Sequence, residues 1–283
     1  MIDTQELDQF ITLALHEDIR TGDYSSLASI DTNATGKAKL LVKDEGILCG
    51  IDVAKAIIQK VDSNLEMEQL LNEGDTIKHG DIAFYLHGNA IAILSAERLI
   101  LNCMQRMSGI ATQTKKYADA IKHTTCKVID TRKTTPNMRF LEKYAVTVGG
   151  GANHRFGLYD MVMLKDNHID FCGGITKAIQ KTKDYLAANN LNLKIEVETR
   201  NLKDVEEVLQ CGGINRIMLD NYTPQLCIEA VKLINNQYET EASGGITLET
   251  IASYAETGVN FISVGALTHS VRSLDLSLKA TIK

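Results

Sequence analysis

Four apolar runs from about residue 126 onward each end on residues able to do ionic chemistry. CKVID leads into Thr131, Arg132 and Lys133, and MVML into Lys165, Asp166 and Asn167. IEV ends on Glu198, and RIML ends on Asp220 and Asn221. One charged residue after a strand is an ordinary solvated loop residue. Four runs sharing the arrangement point to the C-terminal mouth of a parallel α/β barrel, where barrel enzymes build their active sites.

The cations of this set suggest an anionic substrate. Arg132, Lys133, Arg139, His154, Arg155 and Lys165 lie on three segments that a barrel brings to one mouth. Arginine forks match carboxylates and phosphates, and lysine supplies a mobile point charge. Between them, GGGANHR places three glycines before a His-Arg pair, an arrangement in which backbone amides approach a ligand closely. Glu198 and Asp220 offer hard oxygens that suit Mg²⁺ together with a pyrophosphate. Ser243, Gly244, Gly245 and Gly265 follow the last two runs, where barrels place phosphate sites. His16, His79, His87 and His123 have no motif around them and are assigned no role.

Positioning these groups requires alternating strands and helices. From about residue 126, β-rich runs recur with polar and helical segments between them, which predicts parallel strands with right-handed crossovers. Six or seven such units, with no GxGxxG opening a helix, favour a small barrel over a dinucleotide-binding sheet. Residues 35–93 read as strands around one helix and form a separate α+β domain. A helix from Ser95 to Lys122, with Leu99, Cys103, Met107 and Ile110 on one face, is expected to bridge the two. The tail after His269 has no further barrel unit to join and is expected to return to the first domain. The predicted division is 1–110, completed by 270–283, and 111–269.

Composition narrows the function class. The 283 residues are 44% hydrophobic and 23% charged, as in an ordinary globular protein. Lys+Arg 30 against Asp+Glu 36 gives a net charge of -6, so no chain-wide nucleic-acid surface is expected. Cys49, Cys103, Cys126, Cys172, Cys211 and Cys227 form no close pair, against a zinc cluster or disulfide framework. An acidic first segment and the lack of about 18 consecutive apolar residues give the expectation of a cytoplasmic protein without a membrane anchor.

In order, DTRKTTP, LEKYAV, VGGGANHRFGL, LKDNHI, IEVET, MLDN, ASGGI and VGALTHS resemble the quinolinate phosphoribosyltransferase family. EDIRTGD and AERLILNCMQRMSGIAT fit it too, so the resemblance spans nearly the whole chain. It implies an N-terminal α/β sandwich completed by the C-terminal tail, a seven-stranded α/β barrel, and a homodimer, with dimer and hexamer both left open. The implied reaction joins quinolinate to phosphoribosyl pyrophosphate and releases nicotinate mononucleotide, pyrophosphate and carbon dioxide.

Carried over by residue, Arg98 enters the partner's site, and Arg132, His154, Arg155 and Lys165 hold the quinolinate carboxylates. Lys133 and Lys165 face the phosphoribosyl pyrophosphate. Glu198 and Asp220 take the ribose hydroxyls and Mg²⁺, while Ser243, Gly244, Gly245, Gly265 and His269 take the 5′-phosphate. Lys133, Lys165, Glu198 and Asp220 are the expected catalytic groups, and Thr131 joins the substrate contacts. Two residues depart from the family pattern: Asn137, where glycine commonly follows the proline, and Arg20, where a small residue is more usual. The rival readings are a paralogue with another acceptor, and a lipoyl-type binding module suggested by GDTIKHGDIAFYLHG and marked by modification of Lys78.

Overall fold

A computed structural model describes residues 2–281. In chain order its first elements are α1 (Thr4–Asp18), α2 (Tyr24–Ser29), β1 (Thr35–Val42), β2 (Gly46–Ile47), α3 (Ile51–Val61), β3 (Glu66–Gln69), β4 (Thr76–Ile77), β5 (Ile82–Asn89) and α4 (Ala90–Ala120). Then come β6 (Lys127–Ile129), α5 (Arg139–Val148), β7 (Val162–Leu164), α6 (Asp166–Cys172), α7 (Ile175–Ala188), β8 (Ile195–Thr199) and α8 (Leu202–Cys211). The chain ends with β9 (Arg216–Asp220), α9 (Pro224–Ile234), β10 (Glu239–Ser243), α10 (Ile251–Ala255), β11 (Phe261–Ser263), α11 (Ala266–His269) and β12 (Leu276–Ala280).

The chain divides into two compact units, residues 1–115 with 135–150 and 270–283, and residues 116–134 with 151–269. In the first unit, antiparallel strands run in the order β12-β1-β5-β3. The tail enters this sheet through β12, which pairs with β1 from Ala38↔Ala280 to Val42↔Leu276; Ile282 and Lys283 of the predicted tail, like Met1 at the other end, lie outside the described residues. Helix α3 buries Ile51, Val53, Ala54, Ile57 and Ile58, the 3–4 spacing of one apolar stripe.

Two boundaries fall elsewhere than the sequence reading placed them. Helix α4 begins at Ala90, because the side chain of Asn89 accepts the Ala92 N–H and caps it. Leu99, Cys103, Met107 and Ile110 are all buried along it. Residues 111–115 and 135–150, expected in the barrel domain, belong to the first unit. Helix α5 is the reason for the second segment: it buries Phe140, Leu141, Ala145 and Val146, with Phe140 edge-on to Phe10 at 5.9 Å. Its Glu142, fully buried, accepts from Arg106 at 2.9 Å and from the Thr135 hydroxyl at 2.7 Å.

The second unit is an α/β domain around parallel strands in the order β6-β11-β10-β9-β8-β7. The seventh position is held by a single parallel bridge, Ile129↔Ala152, beside β6. All five residues of β8 are buried. With side chains alternating, Ile195, Val197 and Thr199 share one face of β8, and Glu196 and Glu198 share the other. The register repeats this on neighbouring strands: Arg216 faces Glu239, Met218 faces Glu241, and Asp220 faces Ser243. The inner face is therefore ionic in successive layers instead of being filled by branched aliphatics. Among the described residues, no helix is long and apolar enough to cross a membrane.

Candidate active site

The barrel positions predicted to carry chemistry converge on one cleft of about 720 Å³ in the second unit, a size suited to small ligands. Its wall includes Thr131, Arg132 and Lys133 after β6, His154 and Arg155, Lys165 after β7, Glu198 on β8, and Asp220 on β9. Ser243, Gly244 and Gly245 follow from β10, and Gly265 and His269 from β11. Arg98 and Arg139 are not among the lining residues; both belong to the first unit. Asn221, which follows Asp220 at the end of β9, lines the cleft as well, and so do Glu241, Thr247 and Ser263, which were not singled out from the sequence.

Arg132 and Arg155 form the cationic side. Burial, and then the charge of Arg132, hold the Arg155 guanidinium below the usual arginine range. Two like charges held together in this way await an anion that relieves both their repulsion and their desolvation. Arg155 also donates to the Met161 carbonyl at 3.2 Å, which fixes part of its fork.

Lys165, Glu198 and Asp220 form a second charged group in the same cleft. Lys165 Nζ lies 3.9 Å from Glu198 Oε2. Burial raises the Glu198 carboxyl, and the Asp220 charge adds to the effect. Asp220 is likewise raised by burial, against the pull of Lys165. Raised carboxylates beside each other at a cleft rim favour an added cation. The residues therefore fit the chemistry of a hard divalent ion.

The phosphate side is built from close backbone approach. Gly244 has φ +102, and a Cβ there would collide with the Asn221 side chain and backbone. A Cβ on Gly265 would press on both Lys133 and His269 at 3.0 Å. Lys133 is anchored at its carbonyl by the Thr268 hydroxyl at 2.8 Å.

The GGG segment does something other than approach a ligand. None of Gly149, Gly150 and Gly151 lines the cleft. Gly149 follows the last residue of α5, and a Cβ on it would strike the Ala111 carbonyl and Thr114. Gly150 has φ +89. These glycines let the chain leave the helix, and the ligand-facing part of the motif is the His-Arg pair.

In the wall of the cleft, His154 is engaged at both ring nitrogens. In the neutral ring the Arg155 N–H donates to Nδ1 at 2.6 Å, and Nε2 faces Glu196 at 3.0 Å and Glu241 at 3.2 Å. Burial opposes protonation of His154, but hydrogen bonds and charge from the two glutamates outweigh it and raise its pKa to about 9. Glu196 is pushed up to about 7 by burial and by the Glu241 charge. The His154–Glu196 pair thus takes up one proton, which together with the Arg216 cation balances the two carboxylates. A raised pKa stabilises the fold fully below the free-histidine value of 6.5, and that contribution is lost as pH rises through about 9. The urea midpoint is expected to fall between pH 7 and 9.5, and to fall less in His154→Gln. Equal pH dependence in the two proteins would count against the shared proton.

Comparison with known proteins identifies the chemistry. Residues 110–279 match the family described as quinolinate phosphoribosyl transferase, C-terminal domain, and residues 23–108 match its N-terminal domain. The chain belongs to the quinolinate phosphoribosyltransferase family. It is 47% identical over 291 residues to quinolinate phosphoribosyltransferase [decarboxylating] 1b of Nicotiana tabacum, covering 98% of this chain and 83% of that one. The probable nicotinate-nucleotide pyrophosphorylase [carboxylating] of Bacillus subtilis is 44% identical over 266 residues, covering 94% of this chain and 90% of that one. Among solved structures, NadC from Streptococcus pyogenes superposes with a TM-score of 0.93 at 38% identity, over 99% of this chain and 98% of that one.

The activity follows from membership. Quinolinate and phosphoribosyl pyrophosphate are converted to nicotinate mononucleotide, pyrophosphate and carbon dioxide, a pentosyl transfer in NAD biosynthesis. GDTIKHGDIAFYLHG accordingly belongs to the N-terminal domain of this family, with Lys78 in the turn between β4 and β5. Asn137, which stands where the family commonly has glycine, has φ 62. Asparagine is among the few other residues that tolerate this conformation, so the exchange is conservative. Arg20, at φ 42, is the costlier departure.

Proposed function

We propose that the two ends of this cleft divide the substrates between them. Arg132 and Arg155 take the quinolinate carboxylates, with His154 and Lys165 beside them. Lys133, Lys165, Glu198 and Asp220 take the phosphoribosyl pyrophosphate, whose 5′-phosphate lies against Ser243, Gly244, Gly245, Gly265 and His269. Thr131 orders the start of the cationic loop, its hydroxyl accepting the Lys133 N–H at 3.1 Å. The observation that carries this reading is one cleft lined both by two arginines whose charges act on each other and by two carboxylates with a lysine 3.9 Å from one of them.

Glu198 and Asp220 would hold Mg²⁺, which when bound supplies charge to the pyrophosphate group. Lys133 and Lys165 stabilise the charge on the same leaving group as the ribosyl carbon becomes oxocarbenium-like. Arg132 and Arg155 orient the pyridine so that its nitrogen faces that carbon, and catalysis is then chiefly positioning and electrostatics. Once the nitrogen is ribosylated, its positive charge stabilises the electron pair left on the ring when the adjacent carboxylate departs as carbon dioxide. A proton then replaces it.

The working unit is proposed to be a homodimer, or dimers built into a hexamer, in which the exposed Arg98 of α4 completes the partner's cleft. The place of action is proposed to be the cytoplasm, in keeping with six free cysteines.

The test is an assay with carboxyl-labelled quinolinate, phosphoribosyl pyrophosphate and Mg²⁺, repeated with nicotinate and with chelator. Labelled carbon dioxide and nicotinate mononucleotide should form together, only with quinolinate, and should stop when the metal is removed. Mixing Arg98→Ala protein with protein inactivated at Lys165 should restore activity, since mixed dimers regain one intact cleft. A mixture no more active than its components refutes the shared site.

A further inference from the structure

Arg216 lies outside the cleft, and no step of the reaction uses it. It is nevertheless one of the most heavily engaged side chains of the second unit. Its Nη1 is 3.0 Å from Glu241 Oε2 and 3.9 Å from Glu196 Oε2. Its Nη2 is 3.0 Å from Glu239 Oε2, and the guanidinium stacks 4.0 Å above the Phe261 ring. Only 12% of the side chain is exposed, and the side chains of Glu196 and Glu241 are fully buried.

The two glutamates connect Arg216 to the cleft. Both approach His154 Nε2, and the Nδ1 of the same ring accepts the N–H of Arg155. The His154 N–H is fixed in turn by the buried Asp130 carboxylate at 2.9 Å. A continuous stack therefore runs from Arg216 through a layer of two carboxylates to His154, and from there to the backbone of Arg155. The ligand atoms of His154, Glu196 and Glu241 lie within 4.8 Å of one another, as they would around a metal ion. Arg216 already supplies a cation to that layer.

We infer that Arg216 is a positioning residue for acceptor recognition: through Glu196 and Glu241 it clamps the His154 ring and so sets the place of Arg155. The inference rests on the reading that Arg155 takes a quinolinate carboxylate. With Arg216 removed, the two buried carboxylates are left with one imidazole between them. Repulsion then forces one of them away from Nε2, the ring loses its clamp, and Arg155 moves with it. Phosphoribosyl pyrophosphate, held elsewhere in the cleft, is unaffected.

The test compares Arg216→Met with the wild-type full-length protein, using separate KM values for the two substrates. The quinolinate KM should rise about tenfold, corresponding to ~1.4 kcal/mol of binding, with the KM for phosphoribosyl pyrophosphate unchanged within about twofold. Adding Glu196→Gln to Arg216→Met removes the surplus negative charge and should recover most of the loss. Mere loss of packing would not be repaired by that change. An unchanged quinolinate KM in folded Arg216→Met overturns the inference, as does an equal loss for both substrates that Glu196→Gln does not repair. If Arg216→Met cannot be purified folded, Arg216→Lys replaces it. That variant keeps the charge but cannot reach Glu239 and Glu241 together, so a rise of about threefold in quinolinate KM alone supports the clamp and no change overturns it. Arg155→Gln, measured alongside, separates the two readings. If it leaves quinolinate KM unchanged, the carboxylate reading fails and the clamp with it; if it raises KM while the Arg216 variant does not, the clamp alone fails.

Discussion

Arg132→Ala is expected to lower kcat/KM for quinolinate by about 10²- to 10³-fold, a loss of ~3–4 kcal/mol of transition-state stabilisation. Arg132 is solvent-exposed in the free protein, at the head of the loop after β6. Its charge already acts on Arg155, so the two guanidiniums share one patch of the cleft. A dicarboxylate seated there removes water from both. Truncation of one arginine then leaves a carboxylate desolvated without its cation, which costs more than the loss of an exposed ion pair.

The kinetic pattern matters as much as its size. If Arg132 only helps quinolinate to bind, KM rises and kcat holds. If it also aligns the ring nitrogen with the ribosyl carbon, kcat falls as well. Steady-state kinetics over a range of quinolinate concentrations separate these cases, and a change of less than about threefold would remove Arg132 from the carboxylate site. Nicotinate, with one carboxylate fewer, should remain a poor acceptor in both proteins.

The cleft was legible in the sequence because its groups sit at strand ends. Arg132, Lys165, Glu198 and Asp220 each follow an apolar run that could scarcely be anything but a buried parallel strand. Arg139 illustrates the limit of that rule. It lies close to Arg132 in the chain, but the apolar face of α5, with Phe140 and Val146 buried, carries it into the other unit. Helical periodicity was visible there, yet what the helix packs against depends on residues far away in the chain.

The GGG segment misled for a related reason. Gly149 is required by the Ala111 carbonyl, a contact across 38 positions that no local pattern announces. Glu196, Glu241 and Arg216 escaped notice because an acid or base within a strand resembles a solvated edge residue. A period-two count back from the strand ends would have found them, since Glu196 precedes Glu198 by two, Glu241 precedes Ser243 by two, and Arg216 precedes Asp220 by four. Every one of these falls on the face that already carries the cleft.

Glu198→Gln and Asp220→Asn are expected to have the second large effect, each lowering kcat by about 10²-fold, or ~2.7 kcal/mol, and each raising the Mg²⁺ concentration needed for half-maximal rate. Burial raises both carboxyls. Their ionised forms are therefore held at a cost, and a divalent ion held by them would offset it. Neutral amides of the same shape leave the packing intact, so folding should be unchanged while the metal response moves. The double variant discriminates further. If the two carboxylates share one ion, the second substitution adds much less than the first, because the site is already disabled. If Glu198 serves only to pair with Lys165, Glu198→Gln will alter the rate without shifting the Mg²⁺ dependence, and the metal assignment will rest on Asp220 alone.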